Sequence, residues 1–300
     1  MGSQRRSIRG DLDPMTIKEP MTIKEPMTIK AVIFDLDGVV YVGGEPCEGA
    51  AAGIRAVRED GLHVLFMTNN ASRTPEEVAE HLQSMGIDAA PEEVLNSSQV
   101  GAAHLAALRD DGDVEPDPLV LAVGGRGVSQ ALLDQGFSIM KAADVGAQGP
   151  PRPFWAVLQG YGPQMRVLDL HEAGYAVNEG AIWIATNSDA TLPTSRGFAP
   201  GNGALLAAVS HGTGATPEVV GKPFPRSYRI ALDRLGLGPE EVLAIGDRLD
   251  TDIEGANAAG LPSVLVLTGV NDRDDAEAAE EHQKPTYIED TIPQARHLWS

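Results

Sequence analysis

The chain has 300 residues, with 23 Lys and Arg against 43 Asp and Glu, a formal net charge of −20 at pH 7. Such an acidic surface repels nucleic acid and anionic membranes, and no apolar run approaches the roughly 20 residues of a membrane-spanning helix. A single cysteine, Cys47, excludes an intramolecular disulfide and a Cys-cluster metal site.

MTIKEP at 15–20 recurs at 21–26, and MTIK at 27–30 runs into AVIFDLD. Residues 1–26 are therefore expected to be a leader, with Met27 as the natural start; six residues are too few for a structural repeat. Removing its five Lys/Arg and four Asp/Glu leaves 18 and 39, with only Lys30, Lys141, Lys222 and Lys284 as lysines. No signal peptide is visible, so the cytoplasm is the expected location.

Apolar runs alternate with amphipathic stretches along the rest, the pattern of βαβ units and a parallel sheet. Strands are expected at 31–36 (AVIFDL) and 63–67 (HVLFM), with helices at 49–60 and 75–85. The second helix opens on Thr74-Pro75-Glu76-Glu77, a cap, a first-turn proline and two acids at the positive end of the dipole. From about 105 to 211 come strands at 119–123, 154–159 and 181–186 and helices at 126–135, 163–173 and 203–211, interrupted by the breakers GDVEPDP and QGPPRP. Helices at 225–236 and 250–260 and strands at 242–246 and 263–267 complete the chain. The expectation is an α/β fold with a Rossmann-like core at 27–104 and 212–300 and an inserted α/β cap at 105–211.

Four strand ends carry polar groups. Asp35 and Asp37, in DLDGVV, end the first strand, and ligands bind at the carboxyl edge of open α/β sheets. Repulsion between two such carboxylates is costly unless a cation lies between them. Thr68 and Asn69 end the second strand, where a hydroxyl and free amides suit phosphate oxygens. Lys222, in VVGKPFP, offers a point charge for a phosphoryl group. Asp247, in VLAIGDRLDTDI, is a candidate ligand for a hard cation, and Asp252 a candidate support for Lys222 or for a metal-bound water. Asp250 is as well explained by charge placement at a helix start. In a parallel sheet these ends lie along one edge, so four distant segments converge. Cys47 is expected to be an ordinary loop residue, and GGRGVSQ at 124–130 a turn before a helix.

These residues, in this order, resemble the haloacid dehalogenase superfamily. MTNNASRTPEEVAEHLQSMGI, the long insert, and ATNSDATLPTSRGFAPGNGAL followed by VVGKPFP are similar to its NagD-like branch of small-molecule phosphatases. The resemblance implies that Asp35 attacks phosphorus to form an aspartyl-phosphate, and that Asp37 protonates the leaving oxygen and then activates water. It also implies Mg2+ held by the Asp35 carboxylate, the Asp37 backbone carbonyl and Asp247, with phosphoryl oxygens bound by Thr68, the Asn69 amide and Lys222. Thr191, Leu192 and the 194–202 loop are the expected specificity contacts, and a homodimer through the cap is implied. Leu192 stands where pyridoxal phosphatases have a histidine, which argues against that substrate. A receiver-type phosphoacceptor domain or a phosphomutase of the same superfamily are the alternatives. A receiver has no use for Asp37 or a large cap, and such mutases carry a small helical cap soon after the first motif.

Overall fold

The computed structural model describes residues 28–300 apart from 113, 147, 148 and 195; the expected leader and Met27 lie outside them. The chain begins with β1 (Ala31–Phe34), the hairpin β2–β3 (Tyr41–Val42, Glu45–Pro46), α1 (Ala50–Glu59), β4 (His63–Thr68), α2 (Pro75–Ser84), β5 (Val94–Asn96) and α3 (Ser97–Asp111). It continues through β6 (Leu119–Val123), α4 (Arg126–Asp134), β7 (Ser138–Lys141), β8 (Ala156–Gln159), α5 (Val167–Asn178) and β9 (Ile182–Ala185). The hairpin β10–β11 (Thr191–Thr194, Gly197–Pro200), α6 (Asn202–Thr213) and β12 (Glu218–Val219) follow. The last stretch holds α7 (Arg226–Leu235), β13 (Val242–Gly246), α8 (Glu254–Ala259), β14 (Ser263–Val266), α9 (Arg273–Ala278) and β15 (Tyr287–Glu289).

Two parallel sheets result. One runs β15-β14-β13-β1-β4-β5, the other β12-β9-β8-β6-β7. β1 and β13 are buried along their whole lengths, as strands covered on both faces must be, which is why AVIF and VLAIG are unbroken apolar runs. One apolar cluster passes through Leu65 and Leu95 of the first sheet, Leu105 of α3, and Val120 and Leu158 of the second. The helix α3 thus joins the two sheets through a shared core. It crosses the expected division at 104–105, while β12 pairs into the second sheet beyond residue 211.

Local differences from the expected elements have physical causes. The fifth helix begins at Val167 rather than 163 because the Asp169 carboxylate accepts from the Arg166 amide at 2.8 Å, making Arg166 the cap. The expected helix 250–260 opens with one wide π turn, Leu249–Ile253, and only then becomes α8. Periodicity does not announce α3, since Ser97, Val100, Ala102, His104 and Leu105 are buried around several faces and leave no single apolar stripe.

Leu105→Ala is expected to remove about 2–5 kcal/mol of stability, measured by urea unfolding. Because the cluster is shared, the loss should appear in one transition common to both sheets; two separate transitions in the parent protein would contradict the shared core.

Candidate active site

The site is built at the carboxyl edge of β1, β4 and β13. Asp35 follows β1 directly, and its amide donates to the Ile245 carbonyl at 2.9 Å, so the chain leaves the sheet with the carboxylate beside β13. Gly38 sits at φ +89°, and a Cβ there would strike the Asp247 carboxylate. Only glycine allows both the turn and this approach. The Thr268 hydroxyl donates to the Gly38 carbonyl at 2.6 Å and ties the turn to the loop after β14.

Lys222 is the hub. Its Nζ donates to Asp35 Oδ1 at 2.5 Å and to Asp252 Oδ1 at 2.6 Å, with the Met67 carbonyl at 3.4 Å. Lys222 is 4 % exposed, so its charge is out of bulk water. Burial opposes that charge, but Asp252 and Asp35 outweigh it and hold the ammonium well above its ordinary range. Asp252 is thus bonded directly to the Lys222 ammonium. The π turn places its other oxygen to accept from the Asp247 and Arg248 amides at 3.3 and 3.2 Å, and Tyr228 donates to its carbonyl at 2.9 Å. Asp250 turns outward and pairs with Arg248 at 2.8 Å.

Asp247 is fully buried, accepts from the Val270 amide at 2.8 Å through Oδ2, and leaves Oδ1 without a partner. Asp35, Asp247 and Asp252 each offer an oxygen within 4.8 Å of one another. Burial, with Asp252 adding repulsion, raises the Asp35 carboxyl well above its usual range against the pull of Lys222. The same causes push Asp247 up to about 7. An orphaned, buried carboxylate oxygen among mutually repelling carboxylates is a fit for a hard divalent cation, which takes oxygen ligands and relieves the repulsion. The Asp37 carboxylate stands outside that trio. Burial raises it too, while Lys222 and Arg73 draw it down.

The loop after β4 is fixed by its carbonyls. Asn69 O accepts from Ser97 Oγ at 2.6 Å and Asn187 Nδ2 at 2.7 Å, Ala71 O from Ser98 Oγ at 2.9 Å, and Arg73 O from Asn96 Nδ2 at 2.9 Å. The Ser72 carbonyl accepts from the Gly127 amide at 3.2 Å. A Cβ on Gly125 or Gly127 would collide with these carbonyls, which accounts for the glycine-rich stretch at 124–130: it holds the turn into α4 and that helix's first residues, packed on the loop after β4. The Asn69 side chain donates to Lys222 O at 3.1 Å and accepts from Lys222 N at 2.9 Å, locking that loop to the lysine. Thr68 is buried, and its hydroxyl accepts from the Asn70 amide at 3.0 Å.

Asp35, Lys222, Asp247 and Asp252 thus meet directly, with Thr68, Asn69 and Asp37 around them. Thr191 and Leu192 lie on β10, outside this hydrogen-bonded cluster; within the 194–202 loop, residue 195 falls outside the described residues. Sequence reasoning missed Asn96, Ser97, Ser98, Asn187 and Asp189. One signal was available, because Thr186-Asn187 just after β9 repeats the Thr68-Asn69 pair at the end of β4. Cys47 is half-buried and free.

Comparison with known proteins follows the same lines. Residues 32–138 match a family model described as haloacid dehalogenase-like hydrolase, and 219–295 match a second HAD-hydrolase-like model. The chain is 44% identical over 257 residues to D-glycerol 3-phosphate phosphatase of Mycobacterium tuberculosis, covering 86% of this chain and 68% of that protein. It is 37% identical over 255 residues to acid sugar phosphatase of Staphylococcus haemolyticus, covering 85% and 90%. Among solved structures, the M. tuberculosis glycerol phosphate phosphatase in complex with magnesium superposes with a TM-score of 0.80 at 41% identity, covering 89% of this chain and 76% of that one. NagD from E. coli gives 0.76 at 30%, covering 89% and 98%.

Without metal, Asp247 holds its proton up to about pH 7 in the fold, whereas an unfolded aspartate loses it near 4. Its contribution to stability is therefore greatest at low pH and lost as pH rises through 7. In EDTA the melting temperature should fall between pH 5.5 and 8. Magnesium should restore it more at pH 8 than at pH 5.5, since the ion competes with the proton. A magnesium increment independent of pH would contradict this reading of Asp247.

Proposed function

The chain belongs to the haloacid dehalogenase-like hydrolases, and we propose that it is a magnesium-dependent phosphatase that hydrolyses a small-molecule phosphate monoester through an aspartyl-phosphate. The observation that carries this reading is Lys222, buried and bonded to Asp35 and Asp252, beside the unpartnered Asp247 oxygen. Such a group can accept a dianion next to a carboxylate nucleophile only if positive charge is already in place.

In this reading an Asp35 oxygen attacks phosphorus as the P–O bond to the leaving group breaks. Asp37 gives its proton to the departing oxygen; burial raises its carboxyl, the direction an acid donor needs. Asp37 then takes a proton from water, which attacks the same phosphorus and releases phosphate and Asp35. Thr68, the Asn69 amide and Lys222 hold the equatorial oxygens, where charge spreads in the transition state. Magnesium, held by the Asp35 and Asp247 carboxylates and the Asp37 backbone carbonyl, would supply charge neutralisation.

We read residues 105–211 as the cap on a core of 27–104 and 212–300. The named relatives act on glycerol phosphate and on sugar phosphates, so esters of that kind are the proposed substrates, in preference to pyridoxal phosphate. A cytoplasmic enzyme dimerising through the cap completes the proposal; among the described residues no helix is long and apolar enough to cross a membrane. The insert supplies four strands of a five-stranded parallel sheet, which argues against the small helical cap of a mutase, and Asp37 beside the site argues against a receiver.

Asp35→Asn is expected to abolish magnesium-dependent turnover of 4-nitrophenyl phosphate, by at least about 10^3-fold given the loss of the nucleophile, while phosphate ester binding is largely kept. Substantial residual turnover would remove Asp35 from the role of nucleophile.

A further inference from the structure

Asp189 brings one more carboxylate to the centre, and it comes from the second sheet. It follows β9 in the Thr186–Asp189 turn. That turn is anchored by Asn187, whose side-chain amide donates to Asn69 O at 2.7 Å and whose carbonyl accepts from Asn202 Nδ2 at 2.8 Å. The Asp189 amide donates to Asn187 Oδ1 at 3.2 Å, and its carbonyl accepts from the Gly203 amide at 2.9 Å. A Cβ on Gly201 or Gly203 would press on that carbonyl, so the turn is packed from behind as well.

The backbone is thus fixed beside the Asn69 carbonyl, within electrostatic reach of Lys222, Arg248 and Asp37. Arg248, Lys222 and the Asn69 amide are the groups that act on the Asp189 carboxylate favourably, and its own charge is felt at Asp37. Yet among the described residues no Lys or Arg nitrogen lies within 4 Å of it, and the nearby Arg248 is paired with Asp250. A half-buried carboxylate with that much free acceptor capacity asks for donors from a ligand. Burial raises its carboxyl against the pull of Arg248 and Lys222, and hydroxyl groups are donors that would satisfy its oxygens.

Asp37 marks where the leaving oxygen departs, so a carboxylate near Asp37 on the second sheet stands over the leaving group. We propose that Asp189 is a specificity-determining residue that accepts hydrogen bonds from hydroxyls on the leaving group, so that the enzyme selects phosphorylated polyols. This rests on the phosphatase reading above.

The test compares kcat/KM for glycerol 3-phosphate, whose leaving group carries hydroxyls, with that for 4-nitrophenyl phosphate, whose leaving group carries none, in magnesium. Asp189→Ala should lower the first by about 10- to 100-fold, as expected for loss of charge-assisted hydrogen bonds, and mostly through KM. It should change the second by less than about threefold. Asp189→Asn keeps one acceptor oxygen and should recover part of the loss, with melting temperatures near the parent's. Equal losses on both substrates, no loss on either, or a parent enzyme that prefers phosphoethanolamine to glycerol 3-phosphate would overturn the assignment. A parent protein that turns over neither ester would instead remove the phosphatase reading, and this inference with it.

Discussion

The ammonium of Lys222 between Asp35 and Asp252 is the contact around which the rest of the molecule is arranged. Asp35, Asp247 and Asp252 bring three carboxylates together, and Lys222 is bonded to two of them, Asp35 and Asp252. Burying unpaired charge costs several kcal/mol per ion, so the fold needs something more. It supplies backbone amides from Asp247, Arg248 and Val270, and leaves Asp247 Oδ1 open. When all groups are ionised the trio and the lysine carry two excess negative charges, the amount a divalent cation cancels. Metal dependence is in this sense a consequence of the packing, and the raised Asp35 and Asp247 carboxyls are how the protein bears the imbalance without the ion.

Holding that arrangement requires backbone at close quarters. Gly38 and Gly269 approach the Asp247 carboxylate, and Gly246 approaches Asp252, closer than any side chain would allow. On the other side, the Asn69 side chain is bonded to the Lys222 backbone through both its amide nitrogen and its oxygen, so the loop after β4 and the lysine cannot move independently. The carbonyls of that loop are taken up by Asn96, Ser97, Ser98 and Asn187. Within the loop the Asn70 amide donates to the Thr68 hydroxyl and the Ser72 amide to Asn70 Oδ1. This is preorganisation in a concrete form: dipoles are set by bonds within the protein before any ligand arrives.

The chemistry was legible because it depends on strand ends, and strand ends are where apolar runs stop. AVIF before Asp35 and VLAIG before Asp247 announce themselves as buried strands, and the parallel sheet then brings their ends together without any knowledge of the contacts. The supporting shell was not legible in the same way. Ser97 and Ser98 lie in a helix whose buried residues face both sheets, so its periodicity is weak. Asn187 reads as an ordinary turn residue until β9 is seen to end beside β4's loop. The start of α5 and the π turn at Leu249–Ile253 were misplaced for a related reason. Each depends on one carboxylate, Asp169 or Asp252, bonding back to the chain, a choice that side-chain geometry makes and sequence pattern does not.

The second sheet is joined to the first by more than its two crossing segments. The shared apolar cluster, the Gly125–Gly127 packing on Ser72 and Arg73, the Arg126–Glu77 ion pair at 2.6 Å and the Asn187–Asn69 bond all cross between them. Separating the sheets would expose that cluster and remove one of the two donors to the Asn69 carbonyl. Freedom to vary lies instead beyond the seam, in the β10–β11 hairpin, where Phe198 is 82 % exposed and the strands pair mainly with each other. Asp189 stands at the boundary between these regimes, its backbone held on the fixed side and its carboxylate the proposed contact to the leaving group. A residue so placed can distinguish leaving groups without disturbing Lys222, which is how one phosphoryl-transfer centre could be kept while the molecule it serves is changed.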